Sequence, residues 1–263
     1  MEVKEINPHH PVAAAPLQEP VNIICLKWGK LYSCEYVNKL YRGVKKHLDR
    51  PFRMVCFTDD PSGVDPAVEC RPIDPLVVVP RLANNIMLKI TLLHSHTGLK
   101  GPTLFLDLDV IIMGSLDDLF DYKPDRFCMI HNWVAWRKQL LRPRPDIGNS
   151  SVVRFMPGTC DHALDRFIED PDHAYNDFPT EQAFMTDCMR QRRDYWPADW
   201  VHSFKHHCKP IFPLNLLLAP RVKPGIRILV FHGRPNPDEA IAGYRGKLRH
   251  TTRPAPQLAE HWV

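Results

Sequence analysis

The sequence predicts an α/β domain, and three observations carry that prediction. Apolar strands at Val21–Lys27 and Phe52–Thr58 bracket a segment of helical periodicity. Turn formers stand at strand ends, as in Asp59-Asp60-Pro61. The alternation resumes with a helical pattern over Asn85–His96 and a strand over Thr103–Asp109.

The first helix is expected from Ser33, which can cap its first turn, and from Val37, Leu40, Tyr41, Val44 and Leu48 at helical spacing. Lys45, Lys46 and His47 suit its negative end. With the strands on either side it forms a β-α-β unit whose strand-end loops face a ligand. Ser115-Leu-Asp-Asp118 resembles a capping box opening a short helix. Further strands are expected at Phe127–His131, Ser150–Phe155, Ile211–Leu217 and Ile226–His232, with one helix after Thr180 and another begun by Pro237. Residues 132–148 and 191–210 show neither pattern and are expected to be active-site loops.

Composition bounds the class. The 263 residues are 44% hydrophobic, enough for a single globular core, and 34 Lys and Arg against 30 Asp and Glu give a net charge of +4, too weak to mark a nucleic-acid binder. No apolar run approaches the ~18 residues that span a bilayer. The opening residues, with four prolines before Val21, lack an export signal, which predicts a cytoplasmic protein. The eight cysteines include no C-x-x-C pair and read as buried thiols. Residues 1–20 and 250–263 read as Pro-containing extended tails around an ordered domain over 21–249.

The chemistry is concentrated in Leu104-Phe-Leu-Asp-Leu-Asp-Val-Ile-Ile-Met113. In a continuous strand Asp107 and Asp109 share one face, and two carboxylates so close are costly unless a cation lies between them or one is protonated. An EF-hand is excluded by Ile111 and Ile112, where that loop needs an oxygen ligand and glycine. A haloacid-dehalogenase-type phosphatase, with Asp107 as nucleophile and Asp109 as acid/base, is the alternative chemistry.

Five further strings follow a fixed order: Ile23-Ile-Cys-Leu-Lys-Trp-Gly-Lys-Leu-Tyr32, Asn85-Ile-Met-Leu-Lys89, Asn149-Ser-Ser-Val-Val153, Glu181-Gln182 and His232-Gly-Arg-Pro-Asn-Pro237. With the D-x-D strand between the second and third, the chain resembles the GT-A glycosyltransferases, most closely the branch containing glycogenin and bacterial lipopolysaccharide galactosyltransferases. The resemblance covers roughly 21–240 and departs at two places, where the family's Asp-Gln is Glu181-Gln182 and its late lysine is Arg234.

The resemblance implies a Rossmann-like GT-A domain, its mixed and mostly parallel sheet flanked by helices. It further implies metal-dependent sugar transfer from a nucleotide-diphosphate sugar, UDP-linked by expectation, with retention of configuration. Beside the phosphatase, the other alternative is a protein that binds the sugar nucleotide without transferring the sugar. Asp107, Asp109 and His232 would hold Mn²⁺, with Mg²⁺ as the substitute. Tyr32, Asp59, Lys89, Asp107, Asn149, Gly233 and Arg234 would bind the donor. Gln182, Glu181 and Arg234 would serve catalysis, Arg234 by gripping the diphosphate. The expected acceptor is a lipid-linked or cell-envelope glycan, then a protein side chain. Mild basicity leaves modified DNA open without any nucleic-acid motif to support it.

Nothing in the resemblance accounts for Trp133, Trp136 or the stretch Tyr195–Lys209, which carries Trp196, Trp200, His202, His206 and His207 and reads either as an acceptor platform or as a surface loop with packed tryptophans. His202, His206 and Cys208 have zinc-like spacing but lack an evident fourth ligand.

Overall fold

The computed structural model describes residues 20–73, 87–133 and 146–263. Expectations at Asn85, Trp136 and residues 1–19 lie outside the described residues.

Each strand is laid down where a short apolar run ends in turn formers. Among the described residues, β1 (Val21–Lys27), β2 (Phe52–Thr58), β3 (Glu69–Pro72), β4 (Thr103–Leu106), β6 (Phe127–His131), β7 (Gly148–Phe155) and β8 (Arg193–Tyr195) form a sheet in the order β3-β2-β1-β4-β7-β6-β8. β1 pairs in parallel with both β2 and β4, while β7 runs antiparallel to β4 and β6. A smaller sheet in the order β5-β10-β9 joins β5 (Val110–Ile112), β10 (Ile228–Val230) and β9 (Val201–Ser203).

Both faces of the large sheet are covered, which is why its central strands are apolar throughout rather than alternating. Ile23 and Cys25 meet Val37, Leu40 and Val44 of helix α1 (Cys34–His47) on one face. Ile24, Val55 and Phe105 face the other side, toward α2 (Leu88–Thr91), α4 (Asp161–Glu169) and α6 (Glu181–Cys188). Among the described residues the remaining α-helices are α3 (Asp117–Asp121), α5 (Pro171–Asp177) and α7 (Pro237–Ala242).

Several expectations are corrected. Thr103–Asp109 is not one strand: β4 ends at Leu106, and Asp107 to Asp109 form the link through which the chain leaves the large sheet for the small one. The two carboxylates therefore flank a turn instead of sharing a strand face. Ile211–Leu217 forms no strand, because Pro210 and Pro213 lack ladder donors; a 3₁₀ turn over Leu214–Leu216 stands there. The expected loop 191–210 contains β8, β9 and a π-helical turn over Phe204–Cys208. The helix expected over Asn85–His96 is, in its described part, α2 followed by a 3₁₀ turn over Ser95–Thr97.

Ser33 makes no side-chain cap, and the Ser115 hydroxyl accepts from the Asp117 N–H at 3.1 Å, a tight turn rather than a capping box. Residues 250–263 are not an extended tail. Ala255, Leu258 and Trp262 are buried with Ile111, Phe204 and Phe231, and the Trp262 indole donates to Asp238 at 2.9 Å. Three apolar contacts spread over eight residues show no periodicity, so the sequence pattern carries no trace of them.

Candidate active site

In an open α/β sheet the crevice lies beyond the carboxyl ends of the strands where the winding direction reverses. Here that point falls between β1 and β4, because β2 and β3 lie on one side of β1 and the later strands on the other. Three loops converge there. The loop after β1 is tied to the loop after β2 by the Gly29 N–H donating to Asp59 at 2.9 Å and by Lys27 Nζ donating to the Asp60 carbonyl at 3.2 Å. Tyr32 then donates its hydroxyl to Asp109 Oδ2 at 2.9 Å, joining both loops to the D-x-D link.

The link is held at both ends by backbone bonds, Asp107 N to the Ser151 carbonyl at 2.9 Å and Phe231 N to the Asp109 carbonyl at 3.1 Å. Lys89 Nζ lies 2.7 Å from Asp107 Oδ1 and 3.4 Å from Ser150 Oγ. Burial works against the Lys89 charge, but Asp107 and Glu181 outweigh it and raise its pKa above the ordinary value. Asp109 is buried; that burial, followed by the charge of Asp107, pushes its carboxyl up to about 7, against the opposing pull of the Tyr32 hydroxyl and Lys89.

Glu181 opens α6, capped by Thr180, whose hydroxyl accepts from the Ala183 N–H at 3.3 Å. Its side chain is buried and its Oε1 has no partner. Burial raises its pKa, opposed by Lys89 and a bond from Ser150. Lys89, Asp107, Ser150 and Glu181 are thus one polar network, half-buried at Lys89 and Asp107 and buried at Ser150 and Glu181, with a single cation for its two carboxylates.

The late motif approaches from β10. His232 Nε2 lies 2.7 Å from Ser203 Oγ and its ring stacks on Trp133 with centroids 5.8 Å apart. Burial, then Lys205 and His206, lower the imidazole to about 4, so it is neutral at physiological pH. Lys205 donates to the His232 carbonyl. Gly233 has φ 67°, a conformation glycine adopts without strain, and a Cβ there would stand 3.3 Å from Lys205 Nζ.

The structure therefore brings Tyr32, Lys89, Asp107, Asp109 and Glu181 into contact or one bond apart. Other candidates sit differently. Asn149 spends its Oδ1 on the Ser151 N–H at 3.0 Å, Gln182 is half-buried on the first turn of α6, and Arg234 is exposed and paired with Glu239. Asp59 is exposed and bonded to the β1 loop.

Among the described residues no three His, Cys, Asp or Glu side chains form a ready metal site, which covers both the Asp107, Asp109, His232 set and the zinc-like His202, His206, Cys208 set. Of the expected platform, Trp196 is buried with its indole on the Val152 carbonyl at 3.0 Å, and Trp200 packs on Tyr122 and the Arg227 guanidinium; these are core residues. Ser150, Ser203 and Lys205 were not legible as site residues, because nothing but the tertiary fold brings them to Glu181 and His232. Lys205 had a weak signal, as the first residue of the basic run Lys205-His-His-Cys-Lys209.

No protein-family model and no curated protein sequence matches the chain. Solved structures do match in shape. The LgtC galactosyltransferase, solved with donor and acceptor sugar analogues, superposes with TM-score 0.55 at 11% identity over 92% of this chain and 95% of that one. The glycosyltransferase GlyE of Streptococcus pneumoniae TIGR4 gives 0.56 at 12% identity over 93% of this chain and 60% of that one. The bifunctional glycosyltransferase WbbM gives 0.55 at 10% identity over 85% of this chain and 48% of that one. The chain has the GT-A fold of these glycosyltransferases, as its D-x-D and ordered motifs led us to expect.

Proposed function

We propose that the protein is a metal-dependent glycosyltransferase that moves a sugar from a UDP-sugar to a glycan or lipid-linked acceptor with retention of configuration. The observation that carries this reading is the D-x-D link at the carboxyl-end crevice of a GT-A fold, with Asp109 buried and pushed up to about 7. A carboxylate pair with one lysine between it and a second acid, Glu181, lacks positive charge, and a divalent cation supplies it. Asp107 and Asp109 fit that role. His232 would join them as a neutral imidazole by exchanging its bond to Ser203. When bound, Mn²⁺ or Mg²⁺ would neutralise the diphosphate as it leaves.

The chain's own residues then have separable tasks. Tyr32 and Asp59 lie on the loops that would hold the nucleoside, and Asn149 would bind the donor from β7. Lys89 fixes Asp107 in place and Gly233 lets the backbone approach the diphosphate. Lys205 and Arg234 offer cations to the leaving group. Gln182 lines the donor's reacting face, and Glu181 orients Lys89 and Ser150 from behind. The alternative phosphatase chemistry is disfavoured by the fold, since solved structures that match it in shape are glycosyltransferases.

The test is a donor screen scored by nucleoside diphosphate release with and without Mn²⁺. A UDP-sugar should turn over only with the ion, and Asp109→Asn should abolish that turnover while the protein stays folded. Metal-independent release, or an Asp109→Asn variant with wild-type rate, would sink the assignment.

A further inference from the structure

Six of the exposed large apolar side chains stand in one small area, whereas the others among the described residues, such as Leu31 and Ile168, stand apart from it. Ile211, Leu217 and Leu248 are 78%, 76% and 63% exposed, and Phe212, Leu214 and Leu218 are also open to solvent. They do not belong to a collapsed or frayed segment. The loop between Cys208 and Arg221 is closed at its neck by the Arg221 N–H donating to the Cys208 carbonyl at 3.0 Å. From beneath, Asn215 is buried and its amide donates to the Leu248 and Thr251 carbonyls at 2.9 and 2.8 Å. Polar groups point inward and leucines outward, the reverse of an ordinary loop.

The charge around this area is equally one-sided. From Val201 to Asn236 the sequence holds Lys205, Lys209, Arg221, Lys223, Arg227 and Arg234 and no acid, and from Ala240 to Ala259 it holds Arg245, Lys247, Arg249 and Arg253 and no acid. Arg221, Lys223, Arg245, Lys247 and Arg249 are exposed, and the Arg249 guanidinium sits 6.0 Å from the Phe212 ring centroid. Arg227 and Arg234 are paired with Asp118 and Glu239. The exposed cations that remain around the apolar side chains match an anionic bilayer, into whose acyl boundary the leucines insert while the cations meet headgroup phosphates. A second copy of the chain fits worse, because a two-fold contact would set the same basic rim against itself.

We propose that the loop over 209–220 together with the turn over 244–251 is a docking face for an anionic lipid surface. The π-helical turn runs from Lys205, at His232, to Cys208 at the neck of this loop, so a docked bilayer lies one turn from the candidate site. That proximity would suit a lipid-linked acceptor, a point that rests on the proposed transferase activity, whereas the docking face itself does not.

The test is co-sedimentation of the full chain with sucrose-loaded vesicles, of phosphatidylcholine alone or mixed with phosphatidylglycerol at three to one. Binding should require the anionic lipid and weaken as salt is raised. Replacing Leu217→Ser and Leu218→Ser together should lower partitioning roughly tenfold or more. Lys247→Gln and Arg249→Gln should each lower it roughly fivefold. Unchanged melting temperatures show that the variants fold, and the shift produced by UDP with Mn²⁺ in vesicle-free solution reads the donor site separately. Failure of the wild type to bind anionic vesicles overturns the proposal, as does unaltered binding by the leucine variant. A dimer that the leucine variant dissociates, with no vesicle binding, gives the face to a second copy and overturns it too.

Discussion

Glu181 shows what burial does to a single group. Its folded-state pKa is raised above the ordinary 4.5 by burial, which Lys89 only partly offsets. At pH below both values the acid is protonated folded or unfolded and costs nothing. As pH rises past 4.5 the unfolded chain releases its proton first, so stability falls until the folded-state value is passed. Glu181→Gln removes that fall. Its melting temperature should match wild type in acid and exceed it at pH 8, by about 1–2 kcal/mol in unfolding free energy. A constant offset at every pH would refute the burial account. Lys89 was legible because a lysine among apolar helix residues needs an anion. The lysine's second partner, Ser150, was not, since it arrives on a strand 61 positions away.

At the scale of elements, the sequence announced strands well where an apolar run marks them and poorly where they are short and polar. β8 and β9 are three residues each, too short for a period to show, whereas β10 fell inside the apolar run Ile226–His232 that announced it. The D-x-D string was legible as chemistry and misread as a continuous strand, because hydrophobicity continues from Leu104 through Met113 while the hydrogen-bond partners change at Asp107. The junction of β5 and β10 leaves no room for a larger residue. The Gly114 N–H donates to the Arg227 carbonyl, and a Cβ at Gly114 would lie 2.9 Å from the Ile226 carbonyl oxygen. Gly114→Ala should destabilise the protein by about 1–3 kcal/mol in urea titrations, with no need for a positive φ to explain it.

At the scale of the whole molecule, the GT-A reading came from motif order, whereas the closing contacts came from single residues. Trp262 packs edge-on to Tyr36 at 5.3 Å, and Tyr36 in turn lies 4.8 Å from Tyr32, so the far end of the chain buttresses the helix behind the site. Trp262→Ala should cost about 3–5 kcal/mol by thermal or urea unfolding, the scale for a buried tryptophan. An effect under about 1 kcal/mol would show that residues 250–263 add little to the core. The link that carries the chain from the large sheet to the small one also has a thermodynamic role. Asp107 is anchored to β7 of one sheet and Asp109 to the end of β10 in the other, so any ligand gripping both carboxylates couples the two sheets. By reciprocity, what tightens the sheet-to-sheet contact must tighten the ligand. Hydrogen exchange of the Phe231 amide, the donor to Asp109, should therefore slow on adding Mn²⁺ with UDP and stay unchanged in Asp109→Asn. The carboxylate pair then serves as a gauge of how firmly the two halves of the fold hold each other.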